Sequence, residues 1–415
     1  MNARTRPRKV LFVAYGGAHV QMVLPVARAL AQGDWAEPVV LGLTTAADAV
    51  RTAGLPLLQF KDFLAPEDRE ARRWGEHLLG QTANTAIEHD ESVAYLGLSF
   101  AELVAQVGEA EALRQYAEKG RHCFLPVGVL TRILREVQPD LLVSTASPRA
   151  EHAAFLAAAA LGIPSVCLID SFIEPELARR FAAPGYASAI CVLNRFVRDV
   201  LVDAGARGDI VHCTGNPAFD VLRQPATRAA GRAIRERMRW QGKRVVLHPV
   251  QTFYPYHPIA GFWEGTDLPQ RLRAALLAWA KGQDDVVVCI RPRPDDTAPE
   301  LEDQPNVLLT GRDWPLPALL NAVDMVATVN STVGIEGSLA GARVVRVLGT
   351  PFDEATPWER FGLADQAVPL AALEPALDAV SRLPRRADGE DGELATDAVL
   401  RVLRLAEGAR RAGEV

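Results

Sequence analysis

Six short segments of this chain join turn-forming residues to side chains that can hold an anion or move a proton. The first runs from Tyr15 to Pro25 and opens with Gly16, Gly17, Ala18 and His19. Paired glycines let the backbone turn tightly and approach a ligand, and the helix beyond aims its N-terminus at negative charge. The third glycine of a dinucleotide fingerprint is missing, and so is the Gly-Lys-Ser/Thr of a Walker loop. His19 reads in two ways, as a general base or substrate contact, or as a helix-capping or core histidine.

The second segment, Val329 to Ala342, offers Asn330, Ser331 and Thr332 at a strand-to-helix turn, then Gly334 and Glu336. Ser331 and Thr332 can cap the helix and present N–H groups and hydroxyls to a phosphate, while Glu336 can accept two ribose hydroxyls. An ordinary N-cap with a solvent-facing glutamate is the alternative. His248, Gln251 and Thr252 form a third polar turn able to donate to a diphosphate, or a loop with no ligand. Arg291-Pro-Arg293-Pro294 offers guanidinium groups to a phosphate or planar group, or a plain surface run. Ser147, Arg149 and Glu151 lie in a further strand-to-helix turn, with Ser147 as cap and Pro148 at the first helical position; Arg149 and Glu151 point to the cleft or pair on the surface. The sixth segment, Thr214 to Asp220, has the turn chemistry of Gly215-Asn216-Pro217 and reads as a hinge. Asp170, Glu174, Glu88, Asp90 and Glu91 are the acidic candidates for a base. Asp170, at a strand end, is the best placed, or else caps the turn at Ser171-Phe172.

These turns need a scaffold that brings strand ends together. Apolar runs alternate with helix-period segments along the chain, as in parallel sheets covered by helices. The fold class expected is α/β, with two doubly wound Rossmann-like domains facing a cleft. Strands are read at 9–15, 39–43, 56–63, 141–145, 165–170, 189–193 and 210–214, and a second series at 244–248, 286–290, 307–309, 325–329 and 343–348. The boundaries expected are an acceptor-side domain over 1–222, a hinge over 223–242, a donor domain over 243–390 and an amphipathic helix over 391–415. Ligands of such sheets bind at the carboxyl ends of the strands. Residues 64–120 have a helical pattern without a legible order, and Trp74, Tyr95 or Phe100 there reads as a lipid or glycan contact or as part of a helical cap.

Composition narrows the function classes. The 415 residues are 49% hydrophobic and 23% charged, which excludes a disordered chain. No uncharged apolar stretch reaches the roughly 20 residues of a membrane span. A net charge of −6 gives no overall basic field for nucleic acid. Five scattered cysteines suit reduced core residues rather than a disulfide framework or closed zinc site. The expected location is the cytoplasm, with peripheral contact at the inner face of the membrane.

The layout resembles the GT-B glycosyltransferases of bacterial cell-envelope or capsule polysaccharide type, which share their fold with UDP-N-acetylglucosamine 2-epimerases. The turn from Gly16 to His19 with Pro25 looks like the Gly-Gly-x-His…Pro turn of bacterial GT-B enzymes, which faces acceptor and donor diphosphate. Asn330, Ser331, Thr332, Glu336 and Gly337 are similar to their donor-binding segment. Thr214 to Asp220 looks like their interdomain segment. Arg293 stands where capsule-type transferases carry a histidine. The 2-epimerases have an Arg-Pro-Glu loop after the first strand and a His-Arg-Arg-Glu-Asn-like loop early in the second half; here stand Gly16 to His19 and His248 to Thr252.

The resemblance implies a transferase that uses a nucleotide-diphosphate sugar, UDP-linked, as co-substrate, with no other cofactor and no metal. Its partners would be that nucleotide sugar and an acceptor glycan or lipid-linked glycan, with no nucleic acid. His19 or Asp170 would be the base. Gly16, Gly17, His248, Gln251, Thr252, Arg291, Arg293, Asn330, Ser331, Thr332, Gly334 and Glu336 would meet the donor. Ser147, Arg149 and Glu91 would lie on the acceptor side. A nucleotide-sugar 2-epimerase is the alternative, followed by a non-catalytic nucleotide-sugar binding protein.

Overall fold

The computed structural model describes residues 7–80, 87–257, 261–293, 299–301, 304–311, 313–386 and 392–413. The chain divides into two compact units, residues 1–218 with 393–415, and residues 219–392.

The first unit begins with β1 (Arg8–Tyr15), α1 (Ala18–Ala31), β2 (Ala36–Leu43), α2 (Ala46–Thr52) and β3 (Leu57–Leu58). Three helices follow, α3 (Arg69–Leu79), α4 (His89–Val107) and α5 (Glu109–Lys119). Then come α6 (Val127–Val137), β4 (Leu141–Ser144), α7 (Ala150–Ala160), β5 (Ser165–Leu168), α8 (Pro175–Phe181), β6 (Ala189–Val192), α9 (Arg195–Asp203) and β7 (Val211–Cys213). All strands pair in parallel in the order β3-β2-β1-β4-β5-β6-β7. Such a sheet, covered on both faces, needs continuous apolar strands, and residues 10–14 are buried at 1% exposure or less. The expected strand 56–63 shrinks to two residues, because Phe60–Phe63 closes into a 3-10 turn capped by Gln59 and Asp62.

Helices α3 and α4 meet backbone to backbone. A Cβ on Gly75 would fall 2.1 Å from the Val93 carbonyl, and one on Gly97 would fall 2.0 Å from that of Ala71. Trp74, Tyr95 and Phe100 are buried around this contact, so they meet neither lipid nor glycan at a surface. The tail helix α15 (Ala395–Gly413) packs against α1, and its Val399, Val402 and Leu403 complete the core of the first unit.

The second unit contains α10 (Pro225–Arg237), β8 (Arg244–Pro249), the hairpin β9 (Tyr256–His257) and β10 (Gly261–Phe262), α11 (Leu268–Ala280), β11 (Val286–Arg291) and β12 (Val307–Leu309). It continues with α12 (Leu316–Ala322), β13 (Met325–Thr328), α13 (Thr332–Leu339), β14 (Arg343–Leu348), β15 (Gln366–Pro369) and α14 (Leu373–Ser381). Six strands pair in parallel in the order β12-β11-β8-β13-β14-β15. The stretch read as a hinge forms α10, which packs on α12 within this unit. Arg235 fixes that end of the unit through Asp324 at 3.0 Å and the Ala322 carbonyl at 2.7 Å.

Candidate functional site

Each sheet has one place where chain order reverses direction. Strand β1 is followed by β2 on one side while β4 leads to β5 on the other, and β8 and β13 stand in the same relation. Ligands of doubly wound sheets bind in the crevice that such a reversal opens at the carboxyl ends of the strands.

In the first unit the reversal lies between the turn at 15–19 and the turn at 145–151. Gly16 is demanded by crowding, because a Cβ there would fall 1.9 Å from the Thr45 hydroxyl oxygen. Gly17, at φ +69°, takes the left-handed backbone that starts α1. Glu151, in the first turn of α7, is fully buried and joins the two turns. Its Oε1 accepts the Tyr15 N–H at 2.9 Å; its Oε2 accepts the Ser147 N–H at 2.9 Å and the Thr145 hydroxyl at 2.5 Å. The Thr145 Oγ1 lies 2.5 Å from His19 Nδ1, and Glu151 Oε2 lies 3.6 Å from that nitrogen. The His19 side chain stays 31% exposed.

The Tyr15 hydroxyl lies 2.7 Å from that of Tyr95 and accepts the Ala150 N–H at 3.2 Å. Burial raises the pKa of both phenols, so each works here as a neutral hydrogen-bonding group. The Arg149 guanidinium stacks over the Tyr15 ring, 4.5 Å from its centre. Ser147 is buried and holds the turn through its N–H; its expected capping hydrogen bond is not made, and Arg149 occupies the cap position of α7. Asp170 is half-buried beyond β5; its carbonyl accepts from Asn216 at 3.0 Å, and the structure does not bring it into the His19 network.

Glu91 does not lie on an open acceptor side. It is fully buried in α4, and its Oε2 accepts the Lys61 N–H at 3.0 Å, pinning the 3-10 turn to the helix. Burial pushes its carboxyl up to about 7.

In the second unit the reversal lies between β8 and β13. Gln251, buried beyond β8, accepts the Thr328 hydroxyl at 2.9 Å and the Val329 N–H at 3.2 Å, and donates to Asn330 Oδ1 at 2.7 Å. Its amide is therefore engaged in the protein, as is the Asn330 side-chain oxygen. Ser331 caps α13 by accepting the Val333 N–H at 3.3 Å. His248 is fully buried and its Nδ1–H donates to the Ala327 carbonyl at 2.9 Å. Nε2 is then the acceptor nitrogen, and burial holds the imidazole down at about 4. His248 has neither the surface nor the second proton needed to donate to a diphosphate. Gly334 is a packing residue, since a Cβ there would fall 2.7 Å from the Trp358 ring.

Among the described residues at this end, Thr252, Thr332 and Arg293 are exposed, and Arg291 and Glu336 are partly exposed. The Arg291 Nη1 donates to the carbonyls of Gly311 at 3.1 Å and Trp314 at 2.8 Å. Burial pushes the Glu336 carboxyl up to about 7 and the Arg291 charge opposes that rise, so the two groups feel each other.

Sequence reasoning missed Arg346. It sits fully buried in β14, where Nε donates to the Val329 carbonyl at 3.2 Å and Nη2 reaches Asp353 at 3.0 Å and the Thr356 hydroxyl at 2.8 Å. Nη1 donates to the Thr356 carbonyl, and the guanidinium stacks 5.3 Å from the Trp358 ring centre. It holds the β13 turn to the segment after β14. An arginine inside the apolar run Arg343–Leu348 is the signal that could have found it.

Among the described residues, no group of three His, Cys, Asp or Glu side chains could hold a metal ion, and no helix is long and apolar enough to cross a membrane. Cys167, Cys191 and Cys289 are buried free thiols in the sheets.

Two parallel, helix-covered sheets of seven and six strands with these reversals make the chain a two-unit protein of the GT-B fold class. Comparison with known proteins gives the same fold. The family model described as "capsule polysaccharide biosynthesis protein" matches residues 287–372, all within the second unit. The UDP-GlcNAc 2-epimerase of Neisseria meningitidis, solved bound to UDP-GlcNAc, is similar over 96% of this chain and 100% of its own, at 13% identity and a TM-score of 0.60. The UDP-GlcNAc 2-epimerase of Methanocaldococcus jannaschii is similar over 96% and 99%, at 12% identity and a TM-score of 0.60. The glycotransferase of kitacinnamycin is similar over 99% and 98%, at 17% identity and a TM-score of 0.50. No curated protein sequence matches the chain.

Proposed function

We propose that this protein is a glycosyltransferase that moves a sugar from a nucleotide-diphosphate donor to the hydroxyl of a glycan, glycolipid or small-molecule acceptor. The observation that carries the reading is His19: one partly exposed imidazole at the chain reversal of the first unit, with its inner nitrogen engaged by Thr145. A transferase needs one base for one acceptor hydroxyl, whereas a 2-epimerase must remove and return a proton on a single sugar. In this reading the acceptor oxygen gives its proton to His19 and bonds to the anomeric carbon. The bond from that carbon to the diphosphate breaks, and the nucleoside diphosphate leaves with its electron pair.

The second unit supplies the donor side. Glu336 accepts the ribose hydroxyls, while Arg291, Arg293 and the open α13 end at Thr332 stabilise the charge that grows on the diphosphate. A UDP-linked donor is supported by the UDP-GlcNAc bound in the Neisseria epimerase of the same fold. The match of this unit to a capsule polysaccharide biosynthesis family supports an envelope glycan as acceptor; in this reading the acceptor is that glycan or its lipid-linked precursor, met at the inner face of the membrane.

The test is release of nucleoside diphosphate from a panel of nucleotide sugars, with and without envelope glycan and glycolipid acceptors. Release that requires an acceptor is the expected result. Conversion of a nucleotide sugar to its epimer without any acceptor would overturn the reading in favour of an epimerase.

A further inference from the structure

We propose that Thr145 is a positioning residue that fixes the proton of neutral His19 on Nδ1 and so leaves Nε2 as the acceptor nitrogen. The argument follows the protons from His19 through Thr145 to Glu151. A threonine hydroxyl has a single proton. Both carboxyl oxygens of Glu151 already accept backbone N–H groups, from Tyr15 on one and Ser147 on the other. The buried carboxyl thus serves as an acceptor, and the Thr145 proton goes to it across 2.5 Å. The hydroxyl has none left for the imidazole, so across the 2.5 Å to His19 it can only accept. Nδ1 must carry the hydrogen. Nε2, the other nitrogen of a ring that is 31% exposed, is then free of a proton in the neutral form.

The carboxylate orients the ring without binding it directly, since Oε2 stands 3.6 Å from Nδ1. A relay through a hydroxyl is rigid here because the Glu151 side chain is fully buried and Thr145 is only 1% exposed. When the ring takes up a second proton, the same chain still faces it with acceptors, so the imidazolium is held by the same atoms.

The catalytic consequence rests on the transferase reading above, but the tautomer does not, so the two can fail separately. The experiment is nitrogen-15 NMR of the full chain with labelled histidine, with His19 assigned by its loss in His19→Ala. At a pH where the ring is neutral, the wild type is expected to give a pyrrole-type shift at Nδ1 and a pyridine-type shift at Nε2. Thr145→Ser keeps the hydroxyl and is expected to keep this pattern. Thr145→Val matches the shape without the hydroxyl and is expected to lose it. A pyridine-type Nδ1 in the wild type, or an unchanged pattern in a folded Thr145→Val, would overturn the proposal.

Once a donor and acceptor are in hand, Thr145→Val is expected to lower kcat about a hundredfold at nearly constant KM for the nucleotide sugar, with Thr145→Ser restoring most of it. A tautomer that shifts as expected while kcat stays unchanged would keep the proton assignment and remove its role in catalysis.

Discussion

The two chain reversals solve one mechanical problem with different chemistry. In the first unit a buried carboxylate, Glu151, gathers the Tyr15, Thr145 and Ser147 donors and leaves His19 partly exposed at the end of the network. In the second a buried amide, Gln251, ties Thr328, Val329 and Asn330 together, and the charged pair Arg291 and Glu336 takes no part in that network. A carboxylate can only accept, so it directs protons along its chain; an amide both donates and accepts, so it fixes geometry without giving it a direction. On this view the first turn is built for proton movement and the second for holding a ligand. In both, several conspicuous polar residues of the sequence motif hold the turn itself.

The sharpest way to break this contrast is His19→Ala. It is expected to lower turnover by about 10²–10⁴. Nucleotide affinity, measured by calorimetry, should stay within about twofold. Loss of affinity at equal turnover would place His19 on the ligand-holding side instead. Next in size, Glu151→Ala strands three donors in the interior, and chemical unfolding should find it less stable by about 3 kcal/mol. Gln251→Ala should cost about 1–2 kcal/mol by the same measurement, since its partners are neutral. If the second variant proved the more damaging, the ranking of charged over neutral brace would fall.

Glu336→Ala follows, with nucleotide binding weaker by about tenfold, roughly 1.4 kcal/mol, and stability little changed. The last prediction concerns Glu91, a buried acid outside both turns. Its carboxyl is raised by burial to about 7 in the folded protein, against an ordinary value of 4.5. Between those pH values the folded state binds more protons than the unfolded one. The group's contribution is therefore fully present below 4.5, falls as pH climbs from there, and is lost once pH has risen through about 7. Glu91→Gln should flatten that decline and gain on the order of 1–2 kcal/mol over the wild type at about pH 8, read from thermal unfolding across roughly pH 5–8. A wild type and variant with parallel pH profiles would show that Glu91 does not titrate in this range.

The sheets were legible because buried parallel strands must be apolar throughout. Residues 10–14 in β1 and Val245, Val246 and Leu247 in β8 answer that demand. The turns were legible for a related reason, since Gly16-Gly17 and the Ser331 cap announce where a strand gives way to a helix. Two things were not. The order of α3 to α5 depends on the close approach at Gly75 and Gly97, which no periodicity reveals. The short strand β15 and helix α14 are framed by long-range packing rather than by local signals.

The roles within the site were the least legible part. Gln251, His248 and Gly334 have the residue types of a ligand loop, yet two are held inside by long-range hydrogen bonds and the third makes room for Trp358. Glu151 reads in the sequence as facing the cleft or pairing at the surface, and Arg346 as a lone charge in an apolar run; only the fold makes them the buried centres of their turns. What a polar residue does depends on which partners the sheet order brings to it, and that order is not written near the residue.

The central claim is that the second unit holds a nucleotide sugar through Glu336. The most direct measurement is a thermal-shift panel of nucleoside diphosphates and their sugars, run on the wild type and on Glu336→Ala. A ligand at about 100 times its dissociation constant stabilises the folded state by roughly 2.7 kcal/mol. The account predicts a selective rise with uridine diphosphate and its sugars in the wild type, reduced to about half in Glu336→Ala at the same ligand concentration. A flat panel in the wild type, or an equal shift in both proteins, would contradict it.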